Sequence, residues 1–147
     1  MFGRMMVAFD GSAPSRRALQ VGIEMASKLQ QVLYTVTVTE GLPEFVVAGA
    51  YEPVDPDLVG KVAANCEDRR RSLIDEATCL AKDAGVELHA EGRSGPAVDS
   101  IIEAVRQHAC DLLIIGLNHH AGLVARLAAH TGRDVTERAP CSVLGVR

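Results

Sequence analysis

The sequence predicts an α/β protein: a single doubly wound, Rossmann-like sheet of five parallel strands with helices on both faces. Three observations carry that expectation. Short apolar runs alternate with helical stripes in the order β-α-β-α-β-α-β-α-β. No hairpin signal joins one run to the next, so the connections are right-handed crossovers. The length of 147 residues, 48% of them apolar, suits one domain (residues 1–147) with a sizeable core.

The elements follow in order. Met5-Met6-Val7-Ala8-Phe9 is a continuous apolar run closed by Asp10-Gly11-Ser12, as expected of a strand buried on both faces and followed by a turn. Ser12 is placed to cap a helix with Pro14 in its first turn. Leu19, Gly22, Ile23, Ala26 and Leu29 recur at helical spacing over about 14–30. The β-branched and aromatic run 32–38 is the second strand. Residues 40–56 carry Gly41, Pro43, Gly49, Pro53 and Pro56 around the apolar Phe45-Val46-Val47-Ala48, which marks a long irregular connection.

A long helix is expected from Asp57 to Ala84, with Leu73, Ala77, Leu80, Ala81 and Ala84 on its apolar face and Gly85 as its stop. Residues 86–91 alternate as a third strand. Gly95-Pro96 opens a helix whose apolar face is Ala97, Ile101, Ala104 and Val105. Residues 111–116 form the most apolar strand. Val124, Leu127, Ala128, Thr131 and Val135 give a last helical stripe, ended by Pro140, before the terminal strand 142–146.

The charge balance excludes several classes of function. Fifteen basic and nineteen acidic side chains give a net charge of −4; the basic residues are scattered, with Arg69-Arg70-Arg71 the one run and acidic residues beside it, so there is no electrostatic footprint for nucleic acid. Aromatics make up only 3%, too few to stack bases along a single strand. No apolar stretch reaches the ~20 residues that cross a bilayer, and the N-terminus lacks a signal peptide's organisation; a cytoplasmic protein is expected. Cys66, Cys79, Cys110 and Cys141 make no CxxC pair and are expected as reduced thiols filling core space.

In such a sheet, ligands bind beyond the carboxyl ends of the strands, where the winding reverses. That brings Asp10 together with the stretch that follows the fourth strand, Gly116-Leu117-Asn118-His119-His120-Ala121-Gly122. The second loop leads into a helix N-terminus, which favours an anion. A metal would need a third ligand beside His119 and His120, and only His130 is local, so none is expected. GxSxG and the Walker P-loop pattern are absent, and no serine or cysteine stands in a nucleophile motif, so no catalytic residue and no enzyme are expected.

Met6-Val7-Ala8-Phe9-Asp10-Gly11-Ser12, Gly95-Pro96-Ala97 before Ile101-Ile102, Asp111-Leu112-Leu113-Ile114-Ile115-Gly116 and Ala139-Pro140-Cys141-Ser142-Val143-Leu144 together resemble the universal stress protein family, over essentially the whole chain. The resemblance implies the strand order 3-2-1-4-5 and a homodimer paired along the last strand. Val143-Leu144-Gly145-Val146 is itself an apolar edge blunted only by Arg147, the kind that invites pairing.

One group of the family binds ATP through Gly-x2-Gly-x9-Gly followed by Ser or Thr; the other lacks the pattern. Here Gly116 matches the first glycine, while His119, Ala129 and His130 stand at the second, the third and the hydroxyl position. Gly122-x9-Gly132 has the inner spacing, but it shifts the loop against Gly116 and Pro140 and puts Arg133 at the hydroxyl position; that register is rejected. A Cβ at 119 and 129 blocks close approach of backbone N–H groups to phosphate. By resemblance Asp10 and Val38 would contact the adenosine part. The expectation is a non-enzymatic stress-response homodimer acting through partners, with weak or absent ATP binding. The alternative is an ATP or AMP sensor in which His119, His120 and His130 replace the glycine cradle.

Overall fold

The computed structural model describes residues 2–41, 55–117 and 130–147. Its elements are β1 (Met5–Ala8), α1 (Ala13–Leu29), β2 (Leu33–Thr39), α2 (Pro56–Asp83), β3 (Leu88–Ser94), α3 (Ala97–Gln107), β4 (Leu112–Gly116), α4 (His130–Arg138) and β5 (Ser142–Val146). The strands form one sheet in the order β3-β2-β1-β4-β5, and every neighbouring pair is parallel. The expected fold class and strand order are therefore both found.

Two cores explain the layering. Met5, Val7, Leu33, Leu112 and Ile114 turn to one face and are covered by α1 (Leu19, Ile23, Ala26) and α2 (Leu73, Ala77, Ala81). Met6, Val36, Leu113 and Ile115 turn to the other, against Ile101, Ala104 and Val105 of α3 and Val135 of α4. β1 and β4 are buried on both faces, as their unbroken apolar runs require. Each fully buried aliphatic side chain contributes roughly 1.5–3 kcal/mol relative to its exposed state.

The structure corrects some expectations. Leu80 is 37% exposed and Ala84 is exposed, so the buried face of α2 is the narrower Leu73-Ala77-Ala81 row. β3 begins at Leu88, two residues after the alternation starts at Val86. Val86 is instead buried beneath the end of α2: its N–H donates to the Ala81 carbonyl at 2.9 Å and that of Gly85 to Lys82 at 3.0 Å. Gly85 holds φ at +69°, which completes a Schellman cap. Only Cys110 of the four cysteines is fully buried, Cys66 and Cys141 are half-buried and Cys79 is exposed, so core filling describes Cys110 alone without qualification. Of the last expected helical stripe, Val135 is buried and Thr131 is exposed, while Val124, Leu127 and Ala128 lie outside the described residues. So does the apolar Phe45-Val46-Val47-Ala48.

No described helix is long and apolar enough to cross a membrane. β5 is an edge strand whose Val143, Leu144 and Val146 are half-buried within the single chain.

Candidate functional site

The strand order reverses direction between β1 and β4, and a cleft of about 670 Å³ opens above their carboxyl ends. It gathers Asp10 from the end of β1, Val38 from β2 and Gly116 from the end of β4, three of the six residues expected there. His119 and Ala129 lie outside the described residues. His130 begins α4, next to Thr131, which lines the cleft.

Asp10 is held by a turn built from its neighbours. Its Oδ1 accepts the Ser12 N–H at 2.9 Å. Ser12 caps α1, its Oγ accepting the Ser15 N–H at 3.3 Å, and Ser15 Oγ donates back to the Ser12 carbonyl at 3.0 Å. The Asp10 N–H reaches Ser15 Oγ at 3.4 Å. Desolvation raises the affinity of the carboxyl for a proton, but the hydrogen bonds from Ser12 and Ser15 outweigh it and hold the pKa below the usual aspartate value. The cleft thus presents a fixed carboxylate with acceptor capacity to spare, suited to hydroxyl or amino groups of a ligand.

Gly116 serves a second purpose. A Cβ built on it would stand 2.4 Å from the Pro14 carbonyl carbon and 2.5 Å from the Ser15 nitrogen. Its bare Cα lets the first turn of α1 pack directly on the end of β4.

Thr39, Glu40, Cys66, Arg69, Thr131 and Arg133 also line the cleft and were not among the expected residues. Glu40 Oε1 accepts the Ala97 N–H at 3.0 Å, so the residue just past β2 satisfies a free donor at the start of α3. Arg69 was legible in principle: Cys66, Arg69 and Leu73 are i, i+3 and i+7 on one helix, and Leu73 already marked the face turned to the sheet. Among the described residues, no group of three or more His, Cys, Asp or Glu side chains is placed to hold a metal ion.

Comparison with known proteins agrees with the resemblance read from the motifs. The model of the Universal stress protein family matches residues 1–147. A universal stress protein of Methanocaldococcus jannaschii is 23% identical over 152 residues, covering all of this chain and 83% of the relative. Among solved structures, a universal stress protein in complex with cAMP is 26% identical, with a TM-score of 0.71 over 99% of this chain and 97% of that one. A universal stress protein family protein from Arabidopsis thaliana with AMP bound is 17% identical, with a TM-score of 0.65 over 97% and 90%.

Proposed function

Because the chain belongs to the universal stress protein family, we propose that it is a non-enzymatic stress-response protein whose cleft takes an adenosine monophosphate in preference to ATP. The observation that carries this reading is the convergence of Asp10, Val38 and Gly116 on one cleft at the reversal of the winding. Asp10 offers acceptors to the nucleoside and Val38 an apolar surface to the base. The two solved relatives named above hold cAMP and AMP, each with a single phosphate.

The chain's own residues disfavour a longer phosphate chain. His119 and Ala129 stand where the ATP-binding group has glycines, and His130 stands where that group has a hydroxyl. A triphosphate therefore loses backbone donors and a hydroxyl ligand, whereas a monophosphate asks for fewer. In this reading two copies pair along β5, whose apolar residues are only half-buried in the single chain.

Equilibrium dialysis of the whole chain against AMP and against ATP with magnesium, at neutral pH, tests the proposal. AMP should be retained, and ATP should bind no more tightly. Retention of ATP ten times tighter than AMP, or of neither nucleotide, would overturn it.

A further inference from the structure

Three arginines follow one another on α2, and their surroundings differ. Arg70 Nη1 donates to Thr39 Oγ1 at 3.1 Å and to Ser94 Oγ at 2.5 Å, and its Nη2 pairs with Glu67. Arg71 also lies near Glu67, at 3.9 Å. Arg69 alone lines the cleft, and among the described residues it has no ion pair and no side-chain hydrogen bond.

The turn that carries Arg69 is fixed at both ends. One turn before it, Cys66 Sγ lies 3.7 Å from the Glu40 carbonyl oxygen. One turn after it, Leu73 packs on Gly11, with Cδ2 only 2.5 Å from where a side-chain carbon on that glycine would sit. Arg69 is therefore held between the residue that follows β2 and the turn that follows β1, above the ligand space.

Among the described residues, its charge is the one lining the cleft that has no partner. Asp10 accepts from its own turn, and Glu40 accepts the Ala97 N–H. Arg133, which also lines the cleft, pairs with Glu137 at 2.8 Å. A guanidinium left without a carboxylate at a concave site presents a planar pair of donors that matches a phosphate. We infer that Arg69 is a phosphate contact of this cleft, supplying a guanidinium donor pair from α2. This rests on the monophosphate reading above and deepens it: one guanidinium suits one phosphate.

The test is calorimetric titration of the whole protein with adenosine and with AMP, for the wild type, Arg69→Gln and Arg71→Gln. The two variants lose the same charge, but Arg71 does not line the cleft. The expected result is that Arg69→Gln weakens AMP about tenfold, leaves adenosine unchanged, and is not matched by Arg71→Gln. Retained adenosine binding also certifies that the variant is folded. AMP affinity unchanged by Arg69→Gln, lowered equally by both variants, or lowered together with that for adenosine would overturn the role of Arg69 while leaving the cleft as the nucleotide site. A wild type that binds neither adenosine nor AMP would overturn both.

Discussion

Gly116 lies against the peptide that joins Pro14 to Ser15, so closely that any side-chain carbon at 116 would fall 2.4 Å from the Pro14 carbonyl carbon and 2.5 Å from the Ser15 nitrogen. A glycine that could be read as making room for phosphate is required by the fold before any ligand arrives. Backbone, unlike the end of a flexible side chain, cannot swing aside.

Gly116→Ala should therefore destabilise the unliganded protein by about 1–3 kcal/mol, with a fall in Tm of several degrees. Thermal unfolding without nucleotide reads it. A glycine needed only for phosphate would leave that melting temperature unchanged.

Three helices end in the same pair of hydrogen bonds, and only one of them uses glycine. Gly85 closes α2, whereas Gln30 closes α1 at φ +52° and Ala109 closes α3 at φ +49°. Gln31 N–H bonds the Ala26 carbonyl at 3.0 Å, and Cys110 N–H bonds Val105 at 3.0 Å, as Val86 bonds Ala81. A Cβ in the left-handed region is strained, so Gln30→Gly and Ala109→Gly should each stabilise by about 0.5–1 kcal/mol. The sites lie on different helices, so denaturant midpoints of the double variant should show additive gains.

Asp111 clamps the N-terminal segment to β4, its carboxylate accepting the Gly3 N–H at 2.8 Å and the Arg4 N–H at 3.1 Å. The Gly3 bond is the first cause of a pKa below the usual 3.8; desolvation opposes it, and the Arg4 bond adds to it. A depressed folded pKa stabilises above the unfolded value and loses that contribution as pH falls through the folded one. Asp111→Asn should cost about 1 kcal/mol at pH 7, discounted for exposure. The gap should hold down to about pH 5 and close as the pH falls below the ordinary aspartate range. A gap that persists undiminished at pH 2 would show that the carboxylate charge is not its source.

Thiol labelling separates the cysteines by environment. Burial raises the Cys110 pKa to about 11 and pushes up that of Cys141, so both should resist a thiolate-directed reagent in the native protein. Exposed Cys79 should label quickly and half-buried Cys66 more slowly. Cys66 lines the cleft, so AMP should slow its labelling and leave that of Cys79 unchanged.

These features show how far the chain could be read unaided. The sheet was legible because Met5–Ala8 and Leu112–Gly116 are short, apolar without interruption and bounded by turn residues, a pattern that suits strands buried on both faces. The pairing of Asp10 with Gly116 followed from topology alone. The start of β3 is not legible in hydropathy, because Val86-Glu87-Leu88 alternates like a strand while a hydrogen bond from Val86 back to Ala81 holds it to the end of α2. The exposure of Leu80 is not legible either, because period 3.6 admits a wide stripe while the sheet accepts only the Leu73-Ala77-Ala81 row of α2. The caps at Gln30 and Ala109 carry no glycine to announce them. Arg69 stands in a run of three like charges, and only its alignment with Cys66 and Leu73 on one face of α2 sets it apart from Arg70 and Arg71.

The central claim is that the cleft at Asp10 is where an adenosine monophosphate binds. Titrating AMP into the wild type and into Asp10→Ala by calorimetry tests it most directly. The account predicts saturable binding by the wild type, weakened at least tenfold in the variant, whose circular dichroism should remain that of a folded α/β protein. Equal AMP affinity in the two proteins, or no binding by the wild type, would contradict it.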